Sequence, residues 1–100
     1  MIKIKINYDG DFITDFKVTG HANYDDYGKD IVCASVSSIV ITSVNMALTI
    51  DENSVKAVDK EGLVDAVILK KDDTINKVFT NMVNMLKELE KNYKNNVKII

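Results

Sequence analysis

The sequence holds very little from which a metal centre or a covalent framework is built: its 100 residues include one cysteine, Cys33, and one histidine, His21. A single cysteine closes no internal disulfide, and one His with one Cys does not by itself assemble a structural zinc site, so no metal is expected. On this reading there is also no 18-residue apolar run and no charged-then-apolar leader. That argues against a membrane span and a signal peptide and for a cytoplasmic protein. Positive charge is not in excess. The formal charge is -2, the pI is near 5.3 and the lysines are spread out, so direct binding to nucleic acid is not expected. Linkers, repeats and low-complexity tracts are missing too, and residues 1–100 read as one domain with one modest core. Glycine is scarce as well, at four residues. Two of them, Gly20 and Gly28, flank the histidine and the cysteine, where they serve as loop or hinge positions.

What is present is ordinary globular patterning. Ile2-Lys3-Ile4-Lys5-Ile6-Asn7 alternates strictly, as a strand with one apolar and one solvated face does. Asp9-Gly10-Asp11 is hairpin-turn chemistry, after which Phe12, Thr14, Phe16 and Val18 resume the alternation up to Gly20. Apolar residues from Val32 to Leu48 recur at helical spacing and predict a buried helix from about Ile31 to Thr49, too long for a typical strand. The small residues Ala34, Ser35, Ser37, Ser38 and Ser43 are expected to let that helix approach the sheet closely. Ser54 to Val58 and Leu63 to Leu69, joined by Lys60-Glu61-Gly62, read as a second hairpin. Asp72 and Asp73 can cap an amphipathic helix running from Ile75 to Tyr93, with its methionines as core filler. Val97 to Ile100 closes the order as a short strand. The order ββαββαβ predicts an α+β two-layer sandwich, a mixed five-stranded sheet with both helices on one face.

The chemistry gathers between Gly20 and Ser37. With Asp30 as N-cap, Cys33 falls in the first helical turn, where unpaired N–H groups and the helix dipole favour an anion. A thiol placed there tends to ionise, and the same N–H groups could stabilise an oxyanion in acyl transfer. His21 ends a strand, and the intervening loop is long enough for it to return to Cys33. Spacing alone leaves two readings open: a nucleophile and base pair, or a buried cysteine acting as a small hydrophobe beside a satisfied histidine. Asp30 either caps the helix or orients His21. Ser37, one turn after Cys33 and on its face, either bonds the site or packs. The loop Asn23 to Lys29, with Tyr24, Tyr27, Asp25 and Asp26, has the composition of a lid hinged at Gly28, and its acidic residues would complement a basic peptide segment.

In order and spacing, Gly20-His21-Ala22, Tyr27-Gly28, Asp30-Ile31-Val32-Cys33-Ala34 and Val36-Ser37 resemble the bacterial ribosomal-processing cysteine proteases of the Prp (YsxB-like) family. The resemblance extends over nearly the whole chain. It implies an endopeptidase that removes the N-terminal extension of large-subunit ribosomal protein twenty-seven, with Cys33 as nucleophile and His21 as general base and acid, no cofactor, and a homodimeric assembly. Two other classes remain in view. One is a non-catalytic ribosome-assembly partner that holds a peptide; the other is a single-cysteine redox sensor, which would need an external thiol to resolve its oxidised form.

Overall fold

A computed structural model describes residues 1–22, 24–25 and 30–100 of the chain. The N-terminal alternation forms β1 (Ile2–Asp9), which pairs antiparallel with β2 (Phe12–Thr19) around a turn where Gly10 takes φ of 60°. The register steps from Asn7↔Asp15 to Tyr8↔Ile13, so Thr14 is the extra residue of a β-bulge. The bulge corrects the expected alternation. Ile13 is buried ahead of Phe16 and Val18, while Phe12 and Thr14 are only half-buried.

The second hairpin is β3 (Val55–Lys60) and β4 (Leu63–Ile68), and the last strand is β5 (Val97–Ile99). The sheet runs β3-β4-β2-β1-β5, with β5 parallel to β1 and every other pair antiparallel. It is the expected mixed five-stranded sheet with two helices. Ser54, fully buried before β3, donates its hydroxyl to Ala47 O at 2.9 Å and ties this hairpin to the first helix.

That helix, α1 (Ile31–Ile50), lays Val32, Val36, Val40, Val44 and Ala47 in the core. Propensity is poor in so β-branched a segment, and burial of this row is what holds it helical. The expectation about its small residues is only partly met. Ser43 is buried, but Ala34, Ser37 and Ser38 are exposed, so a row of valines and not a row of serines meets the sheet. Ser35 and Ser43 satisfy their hydroxyls on the carbonyls of Ile31 and Ile39, each at 2.7 Å. The uncharged run Ile31–Ile50, with mean hydropathy of 1.9, is long and apolar enough to cross a membrane by length and composition, which corrects the expectation that no such run exists. Here its buried face forms the core of the sandwich.

Helix α2 (Asp73–Asn92) starts at Asp72, whose carboxylate accepts from the Ile75 N–H, and buries Ile75, Phe79, Met82 and Leu86. The rings of Phe79 and Phe16 meet at a centroid distance of 5.5 Å and lock α2 to β2, a contact worth about 1 kcal/mol beyond the area it buries. Met82 is core filler as expected, but Met85 is 48% exposed.

Candidate active site

Strand β2 ends at Thr19, and Gly20 turns the chain out of the sheet with φ of 90°. A Cβ at Gly20 would run into the carbonyl oxygen of Met1, so only glycine permits this close passage of two backbones. His21 follows, exposed, and then Ala22, which is buried and held at both ends of its backbone. Its N–H donates to Cys33 Sγ at 3.2 Å, and its carbonyl accepts from Asn96 Nδ2 at 3.0 Å. The histidine is thus set between two anchored residues.

Cys33 is placed by the start of α1. Asp30 caps this helix, its Oδ1 accepting from the N–H groups of Val32 at 3.0 Å and Cys33 at 2.9 Å. Oδ2 accepts from the N–H groups of Tyr24 at 2.9 Å and Asp25 at 3.4 Å. Burial, the largest single influence, pushes the Asp30 carboxyl up. The bonds from Cys33, Tyr24, Asp25 and Val32 together outweigh burial and hold its pKa below the ordinary value. The carboxylate is therefore engaged with backbone, as a cap. One expectation is corrected here: the first-turn N–H groups of Val32, Cys33 and Ala34 are not free for an oxyanion, because Asp30 accepts all three through its side chain and carbonyl. The donor aimed at the sulfur is instead the Ala22 N–H.

His21, Cys33 and Ser37 open onto one cleft of about 250 Å³. Among the described residues, the imidazole makes no hydrogen bond to Cys33, and the Ser37 hydroxyl makes none at all. The end of β3 and the β3–β4 turn, Asp59 to Gly62, also line the cleft. Nothing in the sequence spacing pointed to this turn, since it reaches the site through strand pairing of β4 with β2. Asn96 also went unseen for want of a local motif.

A larger hollow, about 630 Å³, lies between α1 and α2 among Ile31, Ala34, Ile39, Met85 and Leu89, but it holds neither thiol nor imidazole. Among the described residues, no group of three or more His, Cys, Asp or Glu is placed to hold a metal ion. Of the loop from Asn23 to Lys29, Tyr24 is described: its ring meets Tyr93 edge-on at 5.5 Å. Gly28 and the rest of the expected lid, apart from Asp25, lie outside the described residues.

A thiol and an imidazole facing one cleft, on a sheet that carries its helices on a single side, are the equipment of a cysteine protease. Residues 1–98 match the model of the family described as Cysteine protease Prp. The chain belongs to that family. It is 29% identical over 101 residues to the ribosomal processing cysteine protease Prp of Staphylococcus aureus (strain NCTC 8325 / PS 47), covering 98% of this chain and 94% of that protein. Against the Prp of Bacillus subtilis (strain 168) it is 42% identical over 38 residues, 38% of this chain and 34% of that one. The crystal structure of Staphylococcus aureus Prp with a covalently linked product peptide superposes with a TM-score of 0.93 at 26% identity, covering 99% of this chain and 97% of that one. The same enzyme with a substrate peptide gives a TM-score of 0.84 at 25% identity, covering 100% and 98%.

Proposed function

We propose that this protease processes a ribosomal protein in the cytoplasm, removing the N-terminal extension of the precursor of large-subunit ribosomal protein twenty-seven, with Cys33 as nucleophile and His21 as general base and acid. The observation that carries the reading is the meeting of His21 and Cys33 at one cleft, with the Ala22 N–H directed at Sγ. Its support from relatives is a Staphylococcus aureus Prp structure that holds a covalently linked product peptide on the same fold.

The chemistry is that of acyl transfer. His21 takes the thiol proton, Sγ adds to the scissile carbonyl, and the tetrahedral oxyanion forms beside the sulfur. The Ala22 N–H, which donates to Sγ, is the donor this reading assigns to it. The imidazolium then gives its proton to the leaving amine as the C–N bond breaks, leaving a thioester on Cys33. Water, deprotonated by His21, hydrolyses the thioester and restores the thiol. Asp30 serves this sequence by fixing the turn that carries Cys33, and Ser37 forms part of the wall one turn further on.

The working assembly in this proposal is a homodimer. The outer face of the helices supplies apolar surface for it: Ile31, Met46 and Met85 are 54%, 57% and 48% exposed.

Incubation with a synthetic peptide spanning the precursor extension, with products read by mass spectrometry, tests the activity. A single internal cut that vanishes on alkylation of Cys33 is expected. Tight binding of the uncut peptide would instead mark a non-catalytic partner. Sedimentation of wild type and Met46→Glu tests the dimer, which the charge should dissociate.

A further inference from the structure

Among the described residues, two hairpin turns carry a glycine in the left-handed region, Gly10 at φ of 60° and Gly62 at φ of 74°. Their backbone demand is alike, but they face different things. A Cβ built at Gly10 meets nothing within 4 Å, whereas one at Gly62 would stand 3.3 Å from His21 Nε2 and 3.7 Å from Cε1. The first of these is tighter than ordinary van der Waals contact, so a side chain at 62 requires the ring to give way by a few tenths of an ångström. A second, independent link joins the same places: the Gly20 N–H donates to the Gly62 carbonyl at 3.0 Å, fixing the residue just before the histidine to the turn.

We propose that Gly62 is a positioning residue for His21, the β3–β4 turn being the seat that sets where the imidazole stands in the cleft. The proposal rests on the reading of His21 as general base. Glycine at position 10 is required by its turn alone. At position 62 it is required twice, once by the turn and once by the ring. With the main chain held at Gly20 and Ala22, the freedom left to His21 is rotation of its side chain, and the bare face of Gly62 bounds that rotation on one side.

The two turns supply a matched experiment. Gly62→Ala and Gly62→Asn are compared with Gly10→Ala and Gly10→Asn, the asparagines because that residue tolerates a left-handed backbone and keeps the chain folded. Three quantities are read: kcat and KM on the precursor peptide, the unfolding midpoint, and the Cε1–H resonance of His21 through a pH titration. Both pairs should lose comparable thermal stability. Only the Gly62 variants should move the His21 resonance, and lower kcat by about tenfold with KM within about twofold, since small misplacements of a catalytic group fall on the rate. An unmoved His21 resonance in Gly62→Asn overturns the proposal, as does an equal loss of kcat in the Gly10 pair. Undiminished turnover in His21→Ala would refute the general-base reading, while a shifted resonance in the Gly62 variants would still stand, so the two failures are separable.

Discussion

The backbone N–H of Ala22 donates to Sγ of Cys33 across 3.2 Å, so the residue next to the histidine holds the sulfur itself. A hydrogen bond received by the sulfur directs its remaining lone pairs, and it stabilises negative charge there better than none.

Cys33→Ser and Cys33→Ala should therefore fold and fail to cut. Cys33 is half-buried against the core, and either replacement is a small volume change, so unfolding midpoints should stay close to wild type. Cleavage of the precursor peptide should fall by about a thousandfold or more, because a hydroxyl beside an imidazole does not supply thiolate nucleophilicity. Persistent cutting by Cys33→Ala in a chromatographic assay would remove the thiol from the mechanism.

His21→Ala should lower kcat by about a hundredfold or more and leave KM nearly unchanged, since proton transfer is done in the transition state. The side chain is exposed and makes no hydrogen bond among the described residues, so the variant should lose little stability. Equal losses in binding and rate, measured by steady-state kinetics and calorimetry, would assign the residue a structural role.

Asp30→Ala should destabilise the fold by about 1–2 kcal/mol at neutral pH, through loss of the cap on α1. The sign of its pH dependence follows from the lowered pKa. A carboxyl that is more acidic folded than unfolded stabilises fully above its unfolded value, about 4, and loses that contribution as pH falls through the folded value. The gap in urea midpoint between wild type and variant should narrow below about pH 4. Asp51, also lowered, chiefly by its hydrogen bond to Lys70, titrates in both proteins and cancels in the difference. A gap that stays constant down to pH 2 or so would show that the charge on Asp30 contributes nothing.

Asn96→Ala should cut kcat several-fold at a stability cost of about 1 kcal/mol, because it frees the Ala22 carbonyl and with it the N–H directed at Sγ. Asn96→Asp sets a carboxylate against the same carbonyl oxygen and should lose at least as much. Turnover equal to wild type in both would show that the Ala22 peptide needs no such tether.

Gly20→Ala should be costlier than the same change at Gly10 or Gly62, by about 2–3 kcal/mol, since it combines an unfavourable φ with a collision on the Met1 carbonyl. Chemical denaturation of the variant beside Gly10→Ala, which meets open space, measures the difference.

Much of this architecture could be read from local pattern. The alternation of Ile2, Ile4 and Ile6, the capping aspartates before Ile31 and Ile75, and glycines at the hairpin turns are short-range signals, and each element formed within a residue or two of where they place it. The bulge at Thr14 was hidden because an alternation written with Phe12 and Thr14 looks as regular as the one that folds; only pairing with Asn7 and Tyr8 decides the phase. At the site, Cys33 and His21 stood out by scarcity, and Asp30 by its place before an apolar run. What surrounds them did not. The bond from Ala22 to the sulfur, the tether from Asn96 and the wall at Gly62 all join distant parts of the chain through sheet order, which no window of sequence contains. The free N–H groups expected at the helix start are also a lesson in accounting: a good cap consumes the donors that an oxyanion would use.

The tether from Asn96 to Ala22 spans 74 positions in the chain. At synthesis rates of about 5–20 residues per second, the growing polypeptide carries both its imidazole and its thiol for several seconds before the residue that holds the Ala22 carbonyl has been made. Strand β5, which lies beside β1 and follows Asn96, arrives later still. If His21 and Cys33 are the catalytic pair, their reactive groups emerge first and the tether to Ala22 comes last, so a chain that stops short of Asn96 should leave the precursor peptide uncut.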